Sequence, residues 1–126
     1  TAVQNVRGYS RKARARHDVD QITTAWLAYM HEYRRFPAGI TSMGTNAMAI
    51  LKGEIRHADN LRRVPFLEYT AGATNYADPW GQPYHVDLDA DYDNVVIATN
   101  GPITTTVAVW SDGPPGQGRP IMSWRN

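Results

Sequence analysis

Cysteine is absent from this 126-residue chain. That excludes disulfides, thiolate nucleophiles and cysteine-ligated zinc, and leaves the redox compartment open. No run of about 20 apolar residues occurs, so nothing in the chain as given can span a bilayer as a helix. There is no surplus of one charge sign either: 13 basic and 12 acidic residues leave +1, which argues against a dedicated nucleic-acid binder. The four histidines, His17, His31, His57 and His85, lack the spacing of a zinc peptidase. Ser111-Asp112 and Ser123 have no nucleophile-elbow context. Gly113, Gly116 and Gly118 precede prolines and an arginine rather than a helix, so no phosphate loop is expected. Nothing here supports catalysis. A start methionine and a signal peptide are also missing, and Thr1 opens directly on a helical pattern, which reads as a processed or truncated fragment.

What is present belongs to a folded protein: 42% hydrophobic and 20% charged residues, in a length suited to one domain with a modest core. Charge is unevenly spread, because Arg7, Arg11, Lys12, Arg14 and Arg16 all precede the first acid. Such a run suits an anionic surface or nucleic acid, and equally a solvated helix face. Val19, Ile22, Trp26, Tyr29 and Tyr33 follow spacings of three and four. They predict a helix from residue 1 to about 35, packed at its C-terminal half, with Asp18, Asp20, Arg34 and Arg35 mostly off the stripe. Phe36-Pro37-Ala38-Gly39 is expected to stop it.

A second helix is expected over Thr45–Lys52, ended by Gly53, before an irregular stretch anchored by Val64-Pro65-Phe66-Leu67. Strand signals follow at Tyr84–Leu88, Asn94–Thr99 and Thr104–Trp110, separated by turn-forming residues that include Asn100-Gly101-Pro102. Their spacing predicts an antiparallel meander and an α+β fold: helix over 1–36, helix and loop over 37–76, sheet and C-terminal loop over 77–126. The most constrained segment is Ala77-Asp78-Pro79-Trp80-Gly81-Gln82-Pro83-Tyr84. Two prolines fix φ, Gly81 permits a tight reversal, and Asp78 can accept bonds from nearby amides.

Four pieces in order carry a family likeness: Tyr33-Arg34-Arg35-Phe36-Pro37, Asp78-Pro79-Trp80-Gly81-Gln82-Pro83-Tyr84, Val109-Trp110-Ser111-Asp112-Gly113-Pro114-Pro115-Gly116 and Ile121-Met122-Ser123-Trp124. Together they resemble the type II secretion pseudopilins, the major pseudopilin type above all, and type IV pilin-like proteins. The resemblance implies a long N-terminal helix on a small antiparallel sheet, and a structural role in a periplasmic filament that supports protein export. It implies an inner-membrane anchor helix upstream of Thr1, and as partners the chain itself, other pseudopilins and an inner-membrane assembly platform. Arg7, Arg11, Arg14 and Arg16 would face acids such as Asp89, Asp91 and Asp93 on a neighbouring subunit.

The alternative within the same likeness is a minor tip protein that binds a secreted substrate, a surface or a glycan. A stand-alone nucleic-acid module built on the basic helix stands third.

Relatives of the major type bind calcium in the C-terminal loop, an ion that takes six to eight oxygen ligands. In this chain Pro115 and Pro120 stand where the resemblance would place carboxylates. Ser111 and Asp112 remain as candidate ligands with the acidic ones missing, so the expectation is no cofactor, with calcium as the exception. Asp87, Asp89, Asp91 and Asp93 lack the glycine and distal glutamate of an EF-hand and are expected to be solvated turn aspartates. Trp26, Trp80, Trp110 and Trp124 invite a sugar-platform reading, but burial in so small a core is the expected use.

Overall fold

The apolar stripe does form one helix. A computed structural model describes residues 2–37, 39–54, 56–69, 72–89, 95–98, 101–104, 106–113 and 120–123, with backbone alone for 2–10, 95–98 and 101–104. Helix α1 spans Ala2–Tyr33. Its buried face is made of Ala15, Asp18, Val19, Ile22, Ala25, Trp26 and Tyr29. Asp18 therefore lies in the stripe, contrary to the expectation that it falls outside. Trp26 and Tyr29 are fully buried, and each such side chain contributes about 1.5–3 kcal/mol relative to exposure. Tyr29 stacks on Tyr33 at 5.0 Å, and Phe66 meets both rings edge-on. The helix ends earlier than Phe36-Pro37 suggests. Arg34 takes the left-handed conformation (φ 61°), and its amide donates to Met30 O at 2.7 Å. That bond closes the last turn, while Phe36 and Pro37 are buried just beyond it.

Helix α2 covers Thr45–Lys52, as its composition predicts, and buries Ala47, Met48, Ile50 and Leu51. Gly53 caps it in the left-handed region (φ 66°). A Cβ there would meet the carbonyl oxygens of Arg63 and Val64 at 2.8 Å, so the position needs glycine for both conformation and space. The chain returns beside this helix end, where the amides of Phe66 and Leu67 both donate to Leu51 O.

Five strands follow: β1 (His85–Leu88), β2 (Val95–Ala98), β3 (Gly101–Thr104), β4 (Val107–Ser111) and β5 (Ile121–Met122). They do not form the expected meander. One antiparallel sheet has the order β1-β4-β5, and β2-β3 is a separate antiparallel hairpin. The run expected as one strand over Thr104–Trp110 is divided between β3 and β4, and Gly101-Pro102, read as a separator, belongs to β3. The register explains the choice of neighbour. Val86 pairs with Val109 and Leu88 with Val107, so the apolar alternation of β1 and β4 reaches the core from the same face. Helix α1 packs on β4 and β5. The result is an α+β layout of one long helix on a small antiparallel sheet.

The turn before β1 forms as its residues dictate. Asp78 N donates to Gln82 O, Gly81 N donates to Asp78 O, and Gly81 sits at φ 92°. Segment 41–43 runs alongside, with Met43 N donating to Tyr84 O and Val86 N to Thr41 O.

Candidate interaction surfaces

Two buried carboxylates tie distant segments together from within, Asp18 joining α1 to the segment before β1 and Asp78 joining that segment to β4. Asp18 Oδ1 accepts the Tyr76 hydroxyl and Oδ2 the Tyr84 hydroxyl, both at 2.8 Å. Arg14 approaches Asp18 only to 3.8 Å with a side chain 62% exposed, so solvent screens most of that attraction. Asp78 Oδ1 accepts the amides of Trp80 and Gln82, while Oδ2 accepts the Ser111 hydroxyl at 2.6 Å. A third polar anchor is Asn60, which is fully buried. Its amide donates to Ile50 O and Val64 O, and its carbonyl accepts Tyr33 Oη–H and Val64 N–H. Each fixes a junction between segments distant in the chain. One buried donor, Trp26 Nε1, is left unpartnered among the described residues.

Burial, reinforced by the Asp18 hydrogen bond, pushes the Tyr76 and Tyr84 phenols well above their ordinary value. The folded state holds both protons more tightly than the unfolded state does. Their contribution is therefore complete below about pH 10 and is lost as pH rises further, by up to about 1.4 kcal/mol per pH unit for each tyrosine. Urea unfolding followed between neutral pH and strong alkali should show this decline. The Tyr76→Phe variant, less stable at neutral pH, should decline less steeply; equal slopes would contradict the tight phenol.

The residues expected to make subunit contacts divide unevenly. Arg11, Arg14 and Arg16 are exposed on α1, with Lys12 half-covered. Arg7 lies on the same helix, with its side chain outside those described, and Asp91 and Asp93 lie outside the described residues. Asp89 corrects the expectation of a solvated turn: it is buried, 3% exposed, and its amide donates to Thr106 O. A carboxylate so placed offers no surface to a neighbour. Asp87 belongs to β1 rather than to a turn.

Ser111 and Asp112, the candidate calcium ligands, are not brought together. Strand alternation sends Ser111 inward to Asp78, where its oxygen also accepts the Gly113 amide. Asp112 faces outward, 65% exposed, and sits 2.9 Å from His85 Nε2. Among the described residues no group of three or more His, Asp or Glu side chains is placed to hold a metal ion. The histidines are apart. His85 stacks on Trp110, His57 bonds Asn46 and the Asp59 amide, and His17 and His31 are exposed on α1. Trp26 is core and Trp80 packs against it, as expected; Trp124 lies outside the described residues. No helix among the described residues is long and apolar enough to cross a membrane.

Two of the concavities near these elements are lined by charged side chains. A pocket of about 170 Å³ borders α2, lined by Met48, Ala49, Lys52, Glu54 and Ala73. The Lys52 ammonium bonds Glu54 at 2.8 Å and, with the Gly72 amide, holds that carboxyl below its usual range. The larger one is a groove of about 560 Å³ between α1 and segment 65–68. Ala25, Phe66 and Leu67 supply apolar lining, and Asp20 and Glu68 stand on opposite walls. Composition gave no warning of this groove. A signal for Asp18 did exist, since spacings of three and four link it to Ala15, Ile22, Ala25 and Tyr29. No family model matches the chain, and no curated protein and no solved structure matches it.

Proposed function

We propose that the chain is the head part of a pseudopilin or type IV pilin-like subunit, a structural component of a filament that supports protein export across the periplasm. One observation carries the reading. A single 32-residue helix lies on a small antiparallel sheet through its C-terminal half. Before Asp18, its described side chains are exposed apart from Ala15 and the half-covered Lys12. A helix of this length is far longer than so small a sheet needs. Arg11, Arg14 and Arg16 are exposed in this part and can meet other copies or an anionic surface. The Asp78–Tyr84 turn and the order of motifs named above add to this support.

In this function subunits held in the inner membrane by a segment upstream of Thr1 join the base of a growing fibre. Open helical growth uses heterologous contacts, two different faces of one subunit. Arg11 and Arg14, three residues apart and both exposed, lie on one such face. The encoded protein should carry a short basic leader and an apolar helix before Thr1, and the leader should be cleaved by a prepilin peptidase. In that full-length subunit, reversing Arg11 and Arg14 to glutamate should cut filament yield roughly tenfold, as loss of a partly desolvated charge contact predicts. A plain start at Thr1 with no apolar segment before it would overturn the reading, and undiminished filaments in the double variant would remove the arginines from it.

A further inference from the structure

The groove beside α1 is lined by two carboxylates that stand without a partner among the described residues. Among the described residues, every other carboxylate has a partner: Asp18 with tyrosines, Glu32 with Arg62, Glu54 with Lys52, Asp59 with Arg35, Asp78 with Ser111, Asp112 with His85, and Asp87 and Asp89 with contacts of their own. Asp20 and Glu68 have none, and both line this groove. Both are exposed, above a lining that includes the buried Ala25 and Leu67. Unpaired cations lie one to three turns earlier on the same helix. Arg11, Lys12 and Arg16 meet no acid among the described residues, although Arg16 stands one turn before Asp20. Within one copy Arg11 and Lys12 do not reach Asp20, which lies eight or nine residues further on, about 13 Å along the helix axis.

We propose that the groove receives the basic run of a second copy of this chain. Arginine and lysine side chains from around Arg11 and Lys12 of one copy enter between Asp20 and Glu68 of the next, with their aliphatic stems on Ala25, Phe66 and Leu67. A groove of this volume holds a few extended side chains rather than a whole helix, which suits the tips of a basic helix face. The contact joins two different surfaces of one molecule, so each copy keeps a free groove at one end and a free basic run at the other. It deepens the filament reading and, in that setting, rests on it; the acidic partner of the arginines is the Asp20–Glu68 groove rather than the aspartates near residue 90.

Self-association of the 126-residue chain, measured by sedimentation equilibrium, tests the contact. The parent chain should associate in a concentration-dependent way that weakens between about 50 mM and about 500 mM salt. Asp20→Lys with Glu68→Lys should weaken association roughly tenfold, and so should Arg11→Glu with Lys12→Glu. The quadruple variant restores complementarity with the signs exchanged and should recover the parent behaviour. Circular dichroism on each variant separates lost contact from lost fold. A parent chain that stays monomeric, double variants that associate normally, or a folded quadruple variant that does not recover would each overturn the proposal. The filament reading is separable. Full-length subunits with Asp20→Lys and Glu68→Lys that still assemble would sink the groove contact alone. Groove-dependent association in a protein encoded without leader or apolar helix would keep the contact and sink the filament.

Discussion

Replacing Asp18 with alanine should destabilise the fold by about 4 kcal/mol, a fall in Tm of roughly 15 °C for a chain of this size. The carboxylate is 5% exposed and accepts two tyrosine hydroxyls from segments 58 and 66 residues away. Alanine leaves the Tyr84 hydroxyl without its acceptor inside the core and the Tyr76 hydroxyl with only Gln21 Oε1 at 3.2 Å, and each lost buried acceptor costs about 1–3 kcal/mol. The Arg14 contact adds little, because it is long and exposed. Asp18→Asn should fall between the two, since an amide oxygen accepts one hydroxyl well while the NH2 group faces a donor. Chemical denaturation of Asp18→Ala, Tyr84→Phe and the double variant measures the coupling directly. A double variant no less stable than Asp18→Ala alone is expected; fully additive losses would mean that the pair does not act as a unit.

Asp78→Ala should be comparably severe, at about 4 kcal/mol. The side chain is 5% exposed and performs two jobs with its two oxygens. Oδ1 closes the turn on the amides of Trp80 and Gln82, and Oδ2 receives the Ser111 hydroxyl from β4. Bonds to a charged acceptor contribute about 1.5–3 kcal/mol each, so losing three of them outweighs any relief of desolvation. Ser111→Ala separates the jobs. It cuts the tie to β4 but leaves the turn, and should cost about 2 kcal/mol, including the Gly113 amide deprived of its acceptor. Thermal unfolding with near-ultraviolet circular dichroism of Trp80 reads both effects. An Asp78→Ala protein within about 1 kcal/mol of the parent would contradict the two-sided role.

Several of these features could be read before any tertiary contact was known. The Asp78–Tyr84 turn was legible because prolines and glycine restrict their own backbone and an aspartate reaches amides two to four residues away. Helix α2 was legible for the same reason: its apolar spacing and terminal Gly53 are local statements. Trp26 and Tyr29 declared themselves by periodicity. Asp18 did not, although it shares the spacing, because an acid on an apolar stripe is ordinarily assigned to solvent. Its place depends on hydroxyls that arrive from Tyr76 and Tyr84.

Sheet order divides along the same line. Each strand's alternation was visible, yet β1 pairs with β4 because that register puts Val86, Leu88, Val107 and Val109 on one core face. Proximity in sequence alone predicts a meander instead. Ser111 and Asp112 are neighbours in sequence, but Ser111 at the end of β4 bonds Asp78 while Asp112 just beyond the strand lies against His85. Asp89 is buried by surroundings that local sequence does not show, and the placement of Asp20 and Glu68 in one groove has no trace in composition.

Backbone restriction and hydrophobic period act over a few residues, so residue identities alone settled the helices, the turn and the apolar anchors of this chain. The partner of each buried polar group, the neighbour of each strand and the walls of the groove depend on segments that meet only when the chain closes on itself. Desolvation then makes each meeting obligatory, since a carboxylate that enters the core without its donors would not be kept there.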